Sequence, residues 1–220
     1  IFFGAVISVV GYLIGIFLRK KISVLNPLLV SIIFVIAVIK IFHIDYETYN
    51  SGAKYISYLL TPATVCLAIP LYRQISVLKE HAKEVFIGIL AGVLASMGSI
   101  LLMSYLFGLT HEQYVTLLPK SITTAIGMGV SEELGGIQTI TVAVIIITGV
   151  LGNIIAEAVL KIFRIKEPVA KGLVIGTASH AIGTTKALEI GEIEGAMSSL
   201  SVAVAGLMTV ISASIFANMM

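Results

Sequence analysis

Two strings in this 220-residue chain gather hydroxyls, glycines and isolated ionisable groups inside apolar sequence. The first runs Pro119-Lys120-Ser121-Ile122-Thr123-Thr124-Ala125-Ile126-Gly127-Met128-Gly129-Val130, followed by Ser131-Glu132-Glu133-Leu134-Gly135-Gly136. A helix does not pass unbroken through that glycine density without cost, and a broken helix leaves unpaired N–H groups at a positive dipole end that favours an anion. Ser121, Thr123 and Thr124 add neutral donors, Lys120 adds a cation, and Gly127 loosens the backbone, so a carboxylate is the ligand such a nest would hold. Two plainer uses compete: small residues let helices pack closely in lipid, and a lysine beside a span snorkels to the interface.

The second string extends from Gly176 to Glu194. Ser179, Gly183, Thr184 and Thr185 surround His180 and would present a second donor-rich tip facing the first. An imidazole among small residues at membrane depth must find partners and changes charge near neutral pH, which makes His180 the leading proton-coupling candidate. It also fits as a neutral packing residue held by one hydrogen bond. Glu133 and Glu189 are the other proton-coupling candidates; as carboxylates beside glycine breaks they equally suit the aqueous edge. The substrate-binding set is therefore Lys120, Ser121, Thr123, Thr124, Gly127, Ser179, His180, Gly183, Thr184 and Thr185. Glu157 and Lys161, four residues apart, read as an ion pair on one helix surface, and Asn153 as a bond between helices.

Other chemistries find no motif. Metal-binding His/Glu helices, nucleophile elbows, phosphate loops and dinucleotide fingerprints are absent from the sequence, so an enzyme is not expected, nor a cofactor or resident metal. Cys66 is the only cysteine, which excludes an internal disulfide and a thiolate cluster. A net charge of +2, with basic residues gathered at span ends, does not suit nucleic acid.

The elements that must position these strings are membrane helices. Mean hydropathy of +1.06 with 12% charged residues is far from that of a soluble domain, so lipid must be the solvent. A helix of roughly 20 apolar residues crosses the hydrocarbon layer, and six stretches approach that length: 2–18, 27–42, 55–72, 85–107, 137–162 and 196–217. The first is read as a span and not a signal peptide, because no basic region precedes it. The third carries Pro62 and Pro70 and should be kinked or divided. Segments 115–130 and 169–188 are apolar but interrupted.

Basic clusters stand at Arg19–Lys21, at Arg73, Lys79 and Lys83, and at Lys161, Arg164, Lys166 and Lys171. All three lie on the cytoplasmic side only if 115–136 makes no net crossing. That predicts a re-entrant segment, and by the same count 169–191 dips in from the opposite face, as in an inverted repeat. The expected fold is an all-α integral membrane protein with about six full transmembrane helices plus two discontinuous or re-entrant segments, carrier-like. It forms a single domain over 1–220, with N-terminal spans in 1–107 and the core in 115–220. The Gly88–Gly92 step is compatible with self-association, a homo-oligomer with the dimer favoured.

From Leu118 onward the strings PKSITTAIGMGVSEELGG, TGVLGNIIAE and GTASHAIGTTKALEIGEIEGAMSSL resemble those of the LrgB/CidB family of antiholin-like membrane proteins. The resemblance implies a multi-pass protein of the bacterial cell membrane that modulates murein hydrolase export, autolysis and programmed cell death. It also implies a small holin-like partner of the LrgA/CidA type. Other relatives are carriers: the plastid glycolate/glycerate transporter looks like a fusion of both families, and some bacterial pairs are associated with pyruvate uptake. Combined with the two broken strings, this gives transport of a small monocarboxylate, of pyruvate, glycolate or glycerate type, as the expected function. Holin-like or antiholin-like control of lysis, and a regulatory subunit of the small partner, are the alternatives.

Overall fold

The computed structural model describes residues 2–22, 25–59, 62, 65–66 and 68–220, which are helical with no strand among them. The chain divides into two compact units, Ile1–Cys66 and Leu67–Met220.

In the first unit, α1 (Phe3–Lys21), α2 (Pro27–Ile41) and α3 (Tyr46–Ser57) pack on one another where side chains are missing. A Cβ on Gly4 would lie 2.0 Å from the carbonyl oxygen of Tyr49, and one on Gly15 2.4 Å from that of Pro27, so glycine at both positions sets how closely α1 approaches its neighbours. Asn26 caps α2 through Leu28 N–H at 2.9 Å and Asp45 caps α3 through Glu47 N–H at 3.0 Å, fixing both starts. The third expected span, 55–72, falls partly outside the described residues; α3 ends within it and α4 (Ala68–Arg73) begins within it.

In the second unit, α4 and α5 (Ile75–Glu80) lead into α6 (Ala82–Phe107), α7 (His111–Leu117), α8 (Thr124–Glu133), α9 (Gln138–Ile162), α10 (Pro168–Ile190) and α11 (Glu192–Ala217). Among the described residues, α1, α6, α9 and α11 are long and apolar enough to cross a membrane. At 15 residues α2 is shorter than a full crossing requires. The outer faces of the long helices carry exposed Phe86, Leu102, Leu151, Leu207 and Ile211, which water would not tolerate as a continuous surface but acyl chains do. The unit's core is built from Ile89, Met97, Tyr114, Leu118, Ile122 and Met197.

Both interrupted strings form helical hairpins. Thr110 and Gln113 make a reciprocal capping box that starts α7, which stops at Pro119, a residue without an amide donor. The chain turns through 118–123 and returns as α8, whose side runs antiparallel to α9: Gly127 meets Ile145, and Ser131 meets Thr141 at 2.7 Å. Thr141 also donates to the Thr116 carbonyl at 2.9 Å, and Ile137 N–H donates to the Thr116 hydroxyl at 2.8 Å. This segment therefore comes back to the end of the unit from which it left.

The second hairpin is α10. Its first arm runs parallel to α11, with Gly172 against Glu194 and Gly176 against Ser198, whereas its second arm runs antiparallel, with Thr184 bonded to Ser198 at 2.8 Å and Leu188 against Gly195. The reversal occurs at His180, whose φ of 43° and ψ of −145° lie in a region that a side chain makes costly. Gly88 against Leu173 and Gly92 against Thr177 align α6 with the first arm in the same sense, so the basic residues before α6 and those between α9 and α10 share one end of the unit. The first hairpin enters from the other end, where Tyr114 donates to the Phe216 carbonyl at 2.8 Å.

Candidate functional site

The turn of the first hairpin reaches the middle of α6. There Lys120 Nζ donates to the hydroxyls of Ser121 at 3.0 Å and Ser96 at 3.3 Å, and those two hydroxyls lie 3.1 Å apart. Among the described residues no carboxylate pairs with Lys120; its partners are neutral. A half-buried ammonium held only by hydroxyls keeps most of its charge available for an anion.

Lys120 and Ser121 line a cavity of about 690 Å³ that follows α6 from Glu84 to Ser99, about 22 Å at 1.5 Å per residue, and the first arm of α10 from Glu167 to Ala178. Its walls are largely apolar, through Gly88, Gly92, Ala95, Val169, Leu173 and Val174. His81, Glu84 and Glu167 stand at one end, and the lining continues past Ser96 to the exposed Ser99 at the other. Thr177, only 7% exposed, borders this cavity, and its hydroxyl has no partner among the described residues. An unpaired buried hydroxyl is costly, and this one stands on the wall of the cavity that Lys120 also lines.

The residues expected at the site divide into two groups. Lys120 and Ser121 line the cavity, joined by Ser96 and Thr177. Thr123 and Thr124 open α8 without a side-chain cap from Thr123, and Gly127 is closed in by Ile145 and Pro119; none of the three borders the cavity. Ser179 and Gly183 pack against each other across the second hairpin, with Gly152 beneath Ser179. His180, 3% exposed, donates from Nε2 to the Ile145 carbonyl at 3.0 Å, over Gly149. Thr184 donates to the His180 carbonyl at 3.1 Å and meets Ser198, while Thr185 accepts from Asn153 at 3.0 Å. The tip of the second hairpin thus hooks onto α9 and α11 instead of facing Lys120. Glu133 and Glu189 are exposed.

One local expectation is corrected. Glu157 pairs with Lys186 of α10 at 2.5 Å, not with Lys161 on its own helix, because the second arm runs alongside α9 there. Gly88, which stays exposed, and Gly92 face α10, where Gly92 leaves room for the Thr177 methyl. Ser96, a single hydroxyl in an apolar run, carries no spacing signal, and Thr177, though inside the second string, is not among the binding residues read from it. The Ser96 bond to Lys120 and the shared cavity wall with Thr177 join separate helices.

The fold and cavity can be set against known proteins. No solved structure matches the chain. Proteins named antiholin-like protein LrgB, from Bacillus mycoides (strain KBAB4), Bacillus cereus (strain B4264) and Bacillus anthracis (strain CDC 684 / NRRL 3495), are each 38% identical over 213 residues, covering 96% of this chain and 93% of theirs. The LrgB-like family matches residues 8–219. With both hairpins and the Lys120 cavity inside that span, this helical membrane protein belongs to the LrgB-like family.

Proposed function

We propose that the chain is an antiholin-like protein of the bacterial cell membrane, restraining lysis and murein hydrolase release, and not an enzyme. The observation that carries this is its 38% identity, over nearly the whole length of both chains, to proteins bearing that name. A small membrane protein of the LrgA/CidA type is the proposed partner, and a homo-oligomer, a dimer first, the proposed assembly. The test is expression in a host lacking its own copy, with extracellular murein hydrolase activity and lysis rate measured under a lytic challenge. Both should fall; unchanged values with the protein present in the membrane would defeat the proposal.

A second reading, favoured by the Lys120 cavity, gives this restraint a physical basis: carriage of a small monocarboxylate. One ammonium with neutral hydroxyls matches a single negative charge, the apolar wall suits a short carbon chain, and Glu84 and Glu167 at the mouth disfavour dianions. The cavity runs along α6 from Glu84 past Lys120 and Ser96 to Ser99, an access route of the kind a carrier presents in one state of an alternating-access cycle. We read the opposed hairpins as an inverted repeat and His180 as the group that couples a proton. Such coupling would offset the inside-negative potential, which opposes anion entry by about 2.3 kcal/mol per charge per 100 mV. Movement of acid equivalents alters the proton-motive force, and through it autolysis.

Uptake of labelled pyruvate and glycolate into proteoliposomes, with an entrapped dye, tests the carrier. Saturable uptake with dye retained supports it; dye release without saturation speaks for a lesion instead.

A further inference from the structure

A second cavity, of about 580 Å³, lies where α9 ends and the two arms of α10 begin and finish. Four cations line it, Lys161, Arg164, Lys166 and Lys171, against two carboxylates, Glu157 and Glu189. Both carboxylates are engaged by Lys186, at 2.5 and 3.4 Å, and Lys171 reaches Glu194 at 3.5 Å. Lys161, Arg164 and Lys166 are exposed and form no ion pair among the described residues, although Lys161 interacts with the Glu157 charge at longer range.

Arg164 also occupies a backbone position that favours glycine. Its φ is 54°, and the helix is closed there by Arg164 N–H to Lys161 and Ile165 N–H to Leu160 at 2.9 Å, the termination motif in which glycine is the usual residue. A long charged side chain there carries a conformational cost that packing does not offset, since it is exposed. Between Lys161 and Arg164, Ile162 and Phe163 are 73% and 72% exposed at the end of a 25-residue apolar helix. An exposed apolar pair flanked by two basic residues that line a cavity, where a span leaves the hydrocarbon layer, matches the two parts of a phospholipid: acyl chain and phosphate.

We infer that this cavity binds the headgroup phosphate of an anionic phospholipid, with Lys161, Arg164 and Lys166 as its ligands and Ile162 and Phe163 against the acyl chain. The bound phosphate bridges the α9 end to the two arms of the second hairpin and steadies that hairpin's base. A soluble phosphate would satisfy the cations but leave the apolar pair in water, which is why the lipid is assigned.

The test uses the purified full chain in mild detergent, with phosphatidylglycerol, phosphatidylcholine or inorganic phosphate added. Retained lipid is counted by native mass spectrometry and the thermal midpoint is followed. Phosphatidylglycerol should be retained and raise the midpoint. The variant carrying Lys161→Gln, Arg164→Gln and Lys166→Gln should weaken retention by about fivefold per removed charge, while Lys79→Gln with Lys83→Gln leaves it intact. Arg164→Gly, which suits the backbone and so keeps the fold, should by itself reduce retention about fivefold. Unchanged retention in Arg164→Gly, equal loss in the Lys79/Lys83 control, or equal stabilisation by inorganic phosphate would each overturn the assignment.

Discussion

His180 donates its Nε2–H to the carbonyl oxygen of Ile145 at 3.0 Å, so the reversal of the second hairpin is hooked onto α9. The approach needs bare backbone: a Cβ on Gly149 would lie 2.7 Å from the imidazole Cε1, and one on Gly152 1.8 Å from the Ser179 hydroxyl. Two glycines one turn apart thus form the seat of the hairpin tip, and the positive φ at His180 is held by this contact.

That seat makes the sign of glycine substitutions position-dependent. Gly→Ala ordinarily stabilises a helix by about 1 kcal/mol, and Gly98→Ala, with no atom within 4 Å of its added carbon, should do so. Gly152→Ala should instead destabilise by about 1–3 kcal/mol through overpacking, and Gly149→Ala in the same direction. Thermal midpoints of the three variants in detergent would decide; a rise for Gly152→Ala would contradict the close packing.

If the Lys120 cavity holds a carboxylate, removing the charge should act on substrate affinity. Lys120→Gln is expected to raise the KM for pyruvate uptake about ten- to a hundredfold, the value of a charge-assisted hydrogen bond, while Lys120→Arg retains part of it. Uptake by Lys120→Gln indistinguishable from that of the unmodified protein would remove Lys120 from the site.

Ser104 and Thr177 both carry buried hydroxyls without a partner among the described residues, yet they should answer differently. Ser104 is packed in α6 away from the cavity lining, so Ser104→Ala should stabilise by about 1 kcal/mol and leave uptake alone. Thr177→Val should likewise leave the fold intact but weaken substrate binding about two- to tenfold. Paired melting and uptake measurements separate the two, and equal behaviour would refute a ligand role for Thr177.

Proton coupling through His180 predicts that uptake rises with an inward proton gradient and that His180→Gln abolishes this response while leaving exchange of substrate across the bilayer. Retained pH dependence in that variant would remove His180 from the coupling mechanism and leave its role as the hook on Ile145.

How much of this was written in the sequence differs between its two strings. Apolar runs of roughly 20 residues predict membrane helices by themselves, because the solvent is lipid and backbone polar groups must be satisfied within the segment. Pro119 and the dense glycines after it mark the first break for the same local reasons. Lys120 was visible as a cation amid hydroxyls. The charge clusters also gave a reason for 115–136 to come back to its starting end, which the contacts from Thr116 to Ile137 and Thr141 agree with.

Tertiary structure alone decided which polar groups face one another. Thr177 reaches the cavity that Ser96 and Lys120 line because Gly88 and Gly92 let α6 lie close to α10, a relation between positions more than 80 residues apart that periodicity does not encode. His180, Thr184 and Thr185 look equally suited to a ligand in sequence. In the fold they bond to Ile145, Ser198 and Asn153, since a hairpin bent at a side-chain-bearing residue must be tied down by its neighbours. Composition and breaks therefore determined what kind of protein this is and where its helices stop, whereas the choice between a free hydroxyl and a satisfied one belongs to packing, where each donor takes the nearest acceptor that the neighbouring helix presents.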